Sequence, residues 1–213
     1  TYGHDVPGIV QALADSAAAR GVGERLAVAT VAFPDVNLDD HWARGDARRA
    51  IAARAWSVVV LQQGPSSVEA NREQLRAAVR RFAPEIRQAG ARPALYGPWP
   101  SRARAGDVDR ATGSYALAAA DVDGLHFPAG AAWRLASERD STLALWAPDG
   151  LHASVAGAYA AALVIHAGLA GRSPVGLPAR VRLRSGVVLG VDDATAAALQ
   201  RAAAEAMARY GRS

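Results

Sequence analysis

Apolar runs alternate along this chain with Ala/Arg-rich amphipathic stretches, and the alternation predicts the elements in order. Pro7 sits where a first helical turn tolerates proline, so a helix is expected over residues 8–20, ended by Gly21-Val22-Gly23. Residues 26–33 read as a buried strand stopped by Pro34, and residues 38–54 as a second helix. The segment 56–61 carries a β-branched run with no polar alternation, the pattern of a strand covered on both faces. A helix over 68–89 and a strand over 92–96 come after it. Residues 103–120 read as a helix interrupted at Gly106 and Gly113. A short strand (125–128) and a helix (131–138) come next. Ser154 is placed to cap a helix running to residue 167. Residues 181–189 predict a hairpin or loose strand, and 193–209 a last helix.

Strands separated by helices imply a parallel sheet with helices on both faces. The expected fold class is therefore α/β, a three-layer α/β/α sandwich of flavodoxin-like type. With no internal repeat and no long linker, residues 1–213 are expected to form one domain. The helix over 8–20 has no strand before it. A first strand is expected ahead of Thr1, inside the sheet, so the chain by itself is expected to leave backbone groups unpaired and to fold poorly.

Composition narrows the function classes. Apolar residues make up 51% and charged residues 21%, the balance of a globular protein. No apolar run reaches the roughly 18 residues of a membrane span, and residues 158–169 read as a buried helix. The net charge is +4 and all 24 cationic residues are arginine. Pairs such as Arg48-Arg49 and Arg80-Arg81 lie among acids and alanines at helical spacing, which describes a solvated helix face better than a phosphate track. No nucleic-acid partner is expected. The chain has no cysteine, and no His, Asp and Glu set has metal-ligand spacing, so no metal and no cofactor is expected.

Asp149 and His152 are the strongest chemical candidates. They lie three apart on a loop before a helix, a spacing that lets the carboxylate fold back onto its own imidazole. A catalytic histidine needs such a carboxylate on one ring nitrogen so that the other can take a hydroxyl proton. The adjoining helix N-terminus disfavours imidazolium and keeps the base neutral. The same four residues recur as Asp123-Gly124-Leu125-His126, but His126 runs into Phe127-Pro128 and reads as a core or edge histidine. His166 reads as a packing residue. His4 and His41 read as solvated histidines near a cleft mouth. Gln62 and Gln63 end the central strand, where ligands of parallel sheets bind, and either amide suits oxyanion donation. Ser66 and Ser67 come after Gly64-Pro65 and read as turn or cap residues before they read as nucleophiles. Trp99, in Gly97-Pro98-Trp99-Pro100, suits a sugar-stacking platform or ordinary packing.

Several segments taken in order carry a resemblance. Pro148-Asp149-Gly150-Leu151-His152-Ala153-Ser154, with Gly157 and an apolar helix after it, resembles the last block of SGNH/GDSL-type hydrolases. Residues 59–66, containing Gln62-Gln63-Gly64-Pro65-Ser66, resemble the third block in branches where Gln replaces Asn; Gln63-Gly64-Pro65-Ser66 also resembles related sugar-acetyl esterases. Residues 33–42, beginning Phe33-Pro34-Asp35-Val36-Asn37, resemble the second block, and residues 1–8 resemble the segment on the C-terminal side of the nucleophile. The similarity spans essentially the whole chain.

The resemblance implies a serine ester hydrolase acting on small acyl groups, with acetyl groups on carbohydrate as one substrate class. His152 would be the base and Asp149 its orienting acid. Gln63, favoured, or Gln62 would donate to the oxyanion. Two departures stand out. The serine falls ahead of Thr1, so the 213-residue chain alone is expected to be inactive. Asp35 takes the place of a glycine whose N–H helps bind the oxyanion, and its carboxylate would oppose negative charge there. Asn37 offers a side-chain amide in its stead. The alternative expectation is a non-catalytic relative or fragment that retains a carbohydrate-binding cleft. Reading Thr1 as an N-terminal nucleophile conflicts with the parallel α/β pattern.

Overall fold

Three parallel strands, β1 (Val58–Leu61), β2 (Arg92–Tyr96) and β3 (Leu125–Phe127), form a sheet in the order β1-β2-β3. The computed structural model describes residues 4–212. Val60 lies opposite Ala94, and Ala94 opposite Leu125. Side chains alternate across a strand, so β2 feeds two cores: Ala94 and Tyr96 enter one and Leu95 the other. Helices α1 (Val6–Ala19), α6 (Ala129–Arg139), α7 (Val155–Ala170) and α8 (Asp193–Tyr210) supply the first core. Helices α2 (Leu38–Arg44), α3 (Asp46–Ala52), α4 (Glu69–Gln88) and α5 (Val108–Asp121) supply the second. The result is the expected α/β/α layering. A small antiparallel hairpin, β4 (Arg180–Arg182) with β5 (Val188–Gly190), precedes α8.

Helix α7 is buried from Gly157 to Gly168, as its apolar run implies. Its close approach to α6 depends on Gly157: a Cβ there would lie 2.3 Å from the Trp133 ring and 2.2 Å from Leu145 O. Ser154 caps the helix by accepting from Gly157 N at 3.1 Å.

Four expectations are corrected. Residues 26–33 form no strand; they run alongside α1, where Gln11 Nε2 donates to Leu26 O at 2.6 Å. Their propensity suits a strand, but a strand also needs a ladder partner, and none is present among the described residues. The helix over 38–54 is broken into α2 and α3 at Gly45, whose φ of 76° is the left-handed conformation that closes a helix. Strand β1 meets both cores, Val58 packing against one and Val59 and Leu61 against the other, but its cover is incomplete because it lies at the sheet's edge. It pairs with β2 alone among the described residues, and Val60 is 39% exposed. The helix over 103–120 begins instead as a 3-10 turn (Arg102–Asp107), and Gly113 does not interrupt α5.

The far edge of β3 carries one more contact. His126 and Arg212 exchange backbone hydrogen bonds of 2.9 and 3.2 Å in an antiparallel bridge.

Candidate active site

Asp149 and His152 are brought together by their own loop. Asp149 Oδ1 accepts from Leu151 N and His152 N, each at 2.9 Å, which wraps the backbone around the carboxylate. The other oxygen, Oδ2, then lies 2.6 Å from His152 Nδ1. The loop is closed from within by Ala147 N donating to His152 O at 2.8 Å and Gly150 N donating to Ala147 O at 2.9 Å. An antiparallel bridge between Trp146 and Ala153 pins its base. Both side chains remain about half exposed, 54% for His152 and 49% for Asp149.

The hydrogen bond from His152, and after it those from the two backbone N–H groups, pulls the Asp149 carboxyl down to about 2. It is therefore ionised at any pH of interest and accepts the Nδ1 proton, which leaves the Nε2 lone pair as the basic position. The pair can take a proton from a hydroxyl and return it.

The duplicated motif behaves otherwise. Asp123, at φ 43°, pairs with Arg212 and not with His126. His126 is buried, its Nδ1 donates to Tyr210 O at 2.8 Å, and burial pushes it down to about 4. It is a neutral core histidine, as its context predicts. His166 is buried in α7, with its affinity for a proton lowered by burial. His41 is buried too, against Phe33 at 5.7 Å, which corrects its reading as a solvated residue. His4 is partly exposed. Thr1, Tyr2 and Gly3, at the start of the 1–8 segment, lie outside the described residues.

Gln63 is buried and bonded at both ends of its amide. Oε1 accepts from Leu38 N at 3.2 Å, and Nε2 donates to Ser66 Oγ at 3.1 Å. It thereby ties the end of β1 to the first turn of α2. Gln62 is partly exposed, and its Nε2 donates to Gln63 O. Asn37 caps α2, with Oδ1 accepting from Asp40 N at 3.0 Å while Asp40 accepts from Asn37 N at 2.8 Å. Asp35 is exposed at φ 55°, so the backbone holds a conformation that favours glycine although the residue is not one.

Two ideas from the sequence give way to packing. Trp99 is 5% exposed and stacked on Trp133 at 3.8 Å, so it offers no open face to a sugar. Ser66, at φ 56°, is buried and donates to Gly64 O. Ser67 lies between Asp107 and Arg104.

Tyr115 is an organising residue that the sequence did not signal. From α5 its hydroxyl accepts from Gln63 N at 3.0 Å and reaches Gln63 O at 2.9 Å and Gly64 O at 3.0 Å. Only an aromatic at a helical core position marked it.

Loops leaving the C-terminal ends of β1 and β2 thus carry Gln62, Gln63 and residues 97–102, and the latter contact the Asp149 loop: Arg102 N donates to Gly150 O at 2.7 Å. That is where parallel sheets bind ligands. An open groove of about 730 Å³ lies elsewhere, between the C-terminal turns of α3 and α4, and is lined by Arg48, Arg54 and Glu85. Arg48 pairs with Glu85, Arg49 with Asp46, Arg80 with Asp121 and Arg81 with Asp39. No helix among the described residues is long and apolar enough to cross a membrane.

No family model and no curated protein matches the chain. Among solved structures it is similar to a protein from Slackia heliotrinireducens described as "a putative SGNH hydrolase". The two are 28% identical over 63% of this chain and 80% of that one, with a TM-score of 0.53. It is also similar to a DUF4886 family protein from Bacteroides uniformis, 16% identical over 94% of this chain and 89% of that one, with a TM-score of 0.71. The second likeness is one of fold alone. Together with the parallel sheet and its flanking helices, these neighbours give the chain an SGNH-like α/β fold.

Proposed function

We propose that this domain is the acid–base and oxyanion framework of a serine ester hydrolase acting on small acyl groups, with acetylated carbohydrate as the substrate class. The observation that carries the reading is the 2.6 Å contact of Asp149 Oδ2 with His152 Nδ1, on a loop bonded to the segment leaving β2. The sequence resemblance puts the serine ahead of Thr1.

His152 Nε2 takes the hydroxyl proton as the serine oxygen attacks the acyl carbon, and Asp149 stabilises the imidazolium. The protonated imidazole then gives its proton to the departing alcohol, leaving an acyl-serine. Water, deprotonated by the same nitrogen, attacks that ester and restores the serine and the acid product. The oxyanion of each tetrahedral intermediate needs preorganised donors. Gln62 is assigned that role: it is partly exposed, with its Nε2 hydrogen-bonded to Gln63 O, whereas Gln63 is buried and holds Leu38 and Ser66. The N–H of Asp35, presented in a glycine-like conformation, is the second donor.

The test is hydrolysis of a short-chain aryl ester by the protein extended upstream through the serine. His152→Ala should abolish turnover while the circular dichroism stays native; unchanged turnover would refute the assignment. Asp35 favours a second reading, a non-catalytic carbohydrate-binding cleft, since the place that the resemblance gives to an oxyanion-binding glycine is taken by a residue with a carboxylate, in a glycine-like backbone conformation. Absence of esterase activity in the extended protein, with retained binding of an acetylated glycan, would select it.

A further inference from the structure

We infer that Trp99 is a positioning residue for the acid–base pair, acting through the carbonyl of Leu151. The kinetic consequence rests on the hydrolase reading, whereas the geometry does not.

The loop that carries Asp149 and His152 is half exposed, and Leu151 is 56% exposed, so side-chain burial does not fix it. Peptide hydrogen bonds do. The peptide joining Gly150 to Leu151 gives its N–H to Asp149 Oδ1 at 2.9 Å, and its carbonyl accepts from Arg102 N at 2.7 Å. The next peptide, joining Leu151 to His152, gives its N–H to the same Oδ1 at 2.9 Å, and its carbonyl accepts from Trp99 Nε1 at 3.1 Å. A peptide unit is planar, so holding both its N–H and its carbonyl fixes its orientation. Two successive planes leading into His152 are therefore held on one side by the carboxylate and on the other by the loop leaving β2.

The Trp99 end of this clamp is anchored in the core. Its ring stacks on Trp133 at 3.8 Å and an interplanar angle of 8°. Trp133 in turn meets Trp146 edge-on at 5.1 Å and donates to Gly157 O at 3.1 Å. Trp146 Nε1 donates back to Pro100 O at 3.0 Å, closing a second link between the same two loops. The indole N–H of Trp99 is thus a fixed donor. Without it the last plane before His152 is held only through Asp149, the group whose alignment with Nδ1 is at stake.

The experiment compares Trp99→Phe with Trp133→Phe in the 213-residue chain. The first keeps a ring against Trp133 and removes the donor to Leu151 O. The second thins the same aromatic cluster but removes none of the loop's hydrogen bonds, its own donor going to Gly157 O. The readout is the tautomer of neutral His152, from its ring-nitrogen NMR shifts, assigned with His152→Ala. The wild type should hold the proton on Nδ1. Trp99→Phe should move the tautomer ratio toward Nε2–H by roughly fivefold, the scale of one lost hydrogen bond, with Trp133→Phe unchanged. An unchanged ratio in Trp99→Phe, or an equal change in both variants, overturns the proposal. If Trp99→Phe does not fold, benzothienylalanine at position 99 keeps the ring shape without the N–H and is read the same way.

In the protein carrying the serine, Trp99→Phe should lower kcat by roughly tenfold or more with KM little changed. A tautomer shift in a protein that hydrolyses no ester leaves the clamp standing and removes the hydrolase reading. Normal kcat in Trp99→Phe alongside an active wild type removes the clamp and leaves that reading intact.

Discussion

Asp149 and His152 meet at 2.6 Å across a turn of four residues because one carboxylate oxygen gathers the two backbone N–H groups that precede the imidazole. The other oxygen is left facing Nδ1. Local backbone geometry, rather than a distant support, creates the pair, and the neighbouring loops refine it.

Asp149→Asn should retain the fold, since an amide oxygen can still accept from Leu151 N and His152 N. It removes the charge and no longer enforces the Nδ1–H tautomer. In the protein carrying the serine, kcat for a short-chain ester should drop by roughly 10³–10⁴-fold. Steady-state kinetics alongside thermal melts check this; a loss of less than about tenfold with an intact melt would contradict the assigned role.

The two glutamines should separate by phenotype. Gln62→Ala should cost about 3 kcal/mol of transition-state stabilisation with little change in stability. Gln63→Ala should leave Leu38 N–H without its acceptor and lower stability by about 1–3 kcal/mol. Urea denaturation and kcat/KM measured on both variants test the division, and a purely kinetic effect from Gln63→Ala would reverse it.

Acid should destabilise the fold well above the carboxylate range. Burial lowers His126 from 6.5 to about 4, so the folded protein keeps it neutral while the unfolded chain binds a proton below pH 6.5. Its contribution is complete above 6.5, declines as the pH falls, and amounts to about 3 kcal/mol lost by pH 4. Burial lowers His41 and His166 as well, with the same sign. Asp149, lowered to about 2, adds a further decline only below its ordinary 3.8. Urea midpoints between pH 7 and 4 should fall, and less steeply in His126→Gln; parallel slopes would rule His126 out as a source.

Gly157→Ala should be severe for a single methyl group. The added carbon would lie 2.3 Å from the Trp133 ring and 2.2 Å from Leu145 O, so α6 and α7 must separate. A loss of about 1–3 kcal/mol, or more, is expected from guanidinium unfolding. A variant as stable as the wild type would mean that this helix contact yields freely.

The alternation of strands and helices, the three layers and the Asp149–His152 pair are all legible in the amino-acid sequence. Each comes from short-range pattern: short apolar β-branched runs, helical spacing of apolar residues, caps such as Ser154, and a carboxylate three residues from its histidine. The sequence could not determine whether residues 26–33 become a strand, because that depends on a neighbouring ladder and not on their own propensity. Nor could the four-residue motif alone distinguish Asp123-His126 from Asp149-His152, which differ only in what surrounds them: Arg212 and Tyr210 O for the first pair, solvent and two peptide N–H groups for the second. The roles of Gln63, Tyr115 and Trp99 were likewise decided by tertiary structure. Their partners, Leu38, Gln63 and Leu151, lie 25 to 52 residues away, and hydrogen bonds of that span exist only once the layers have packed.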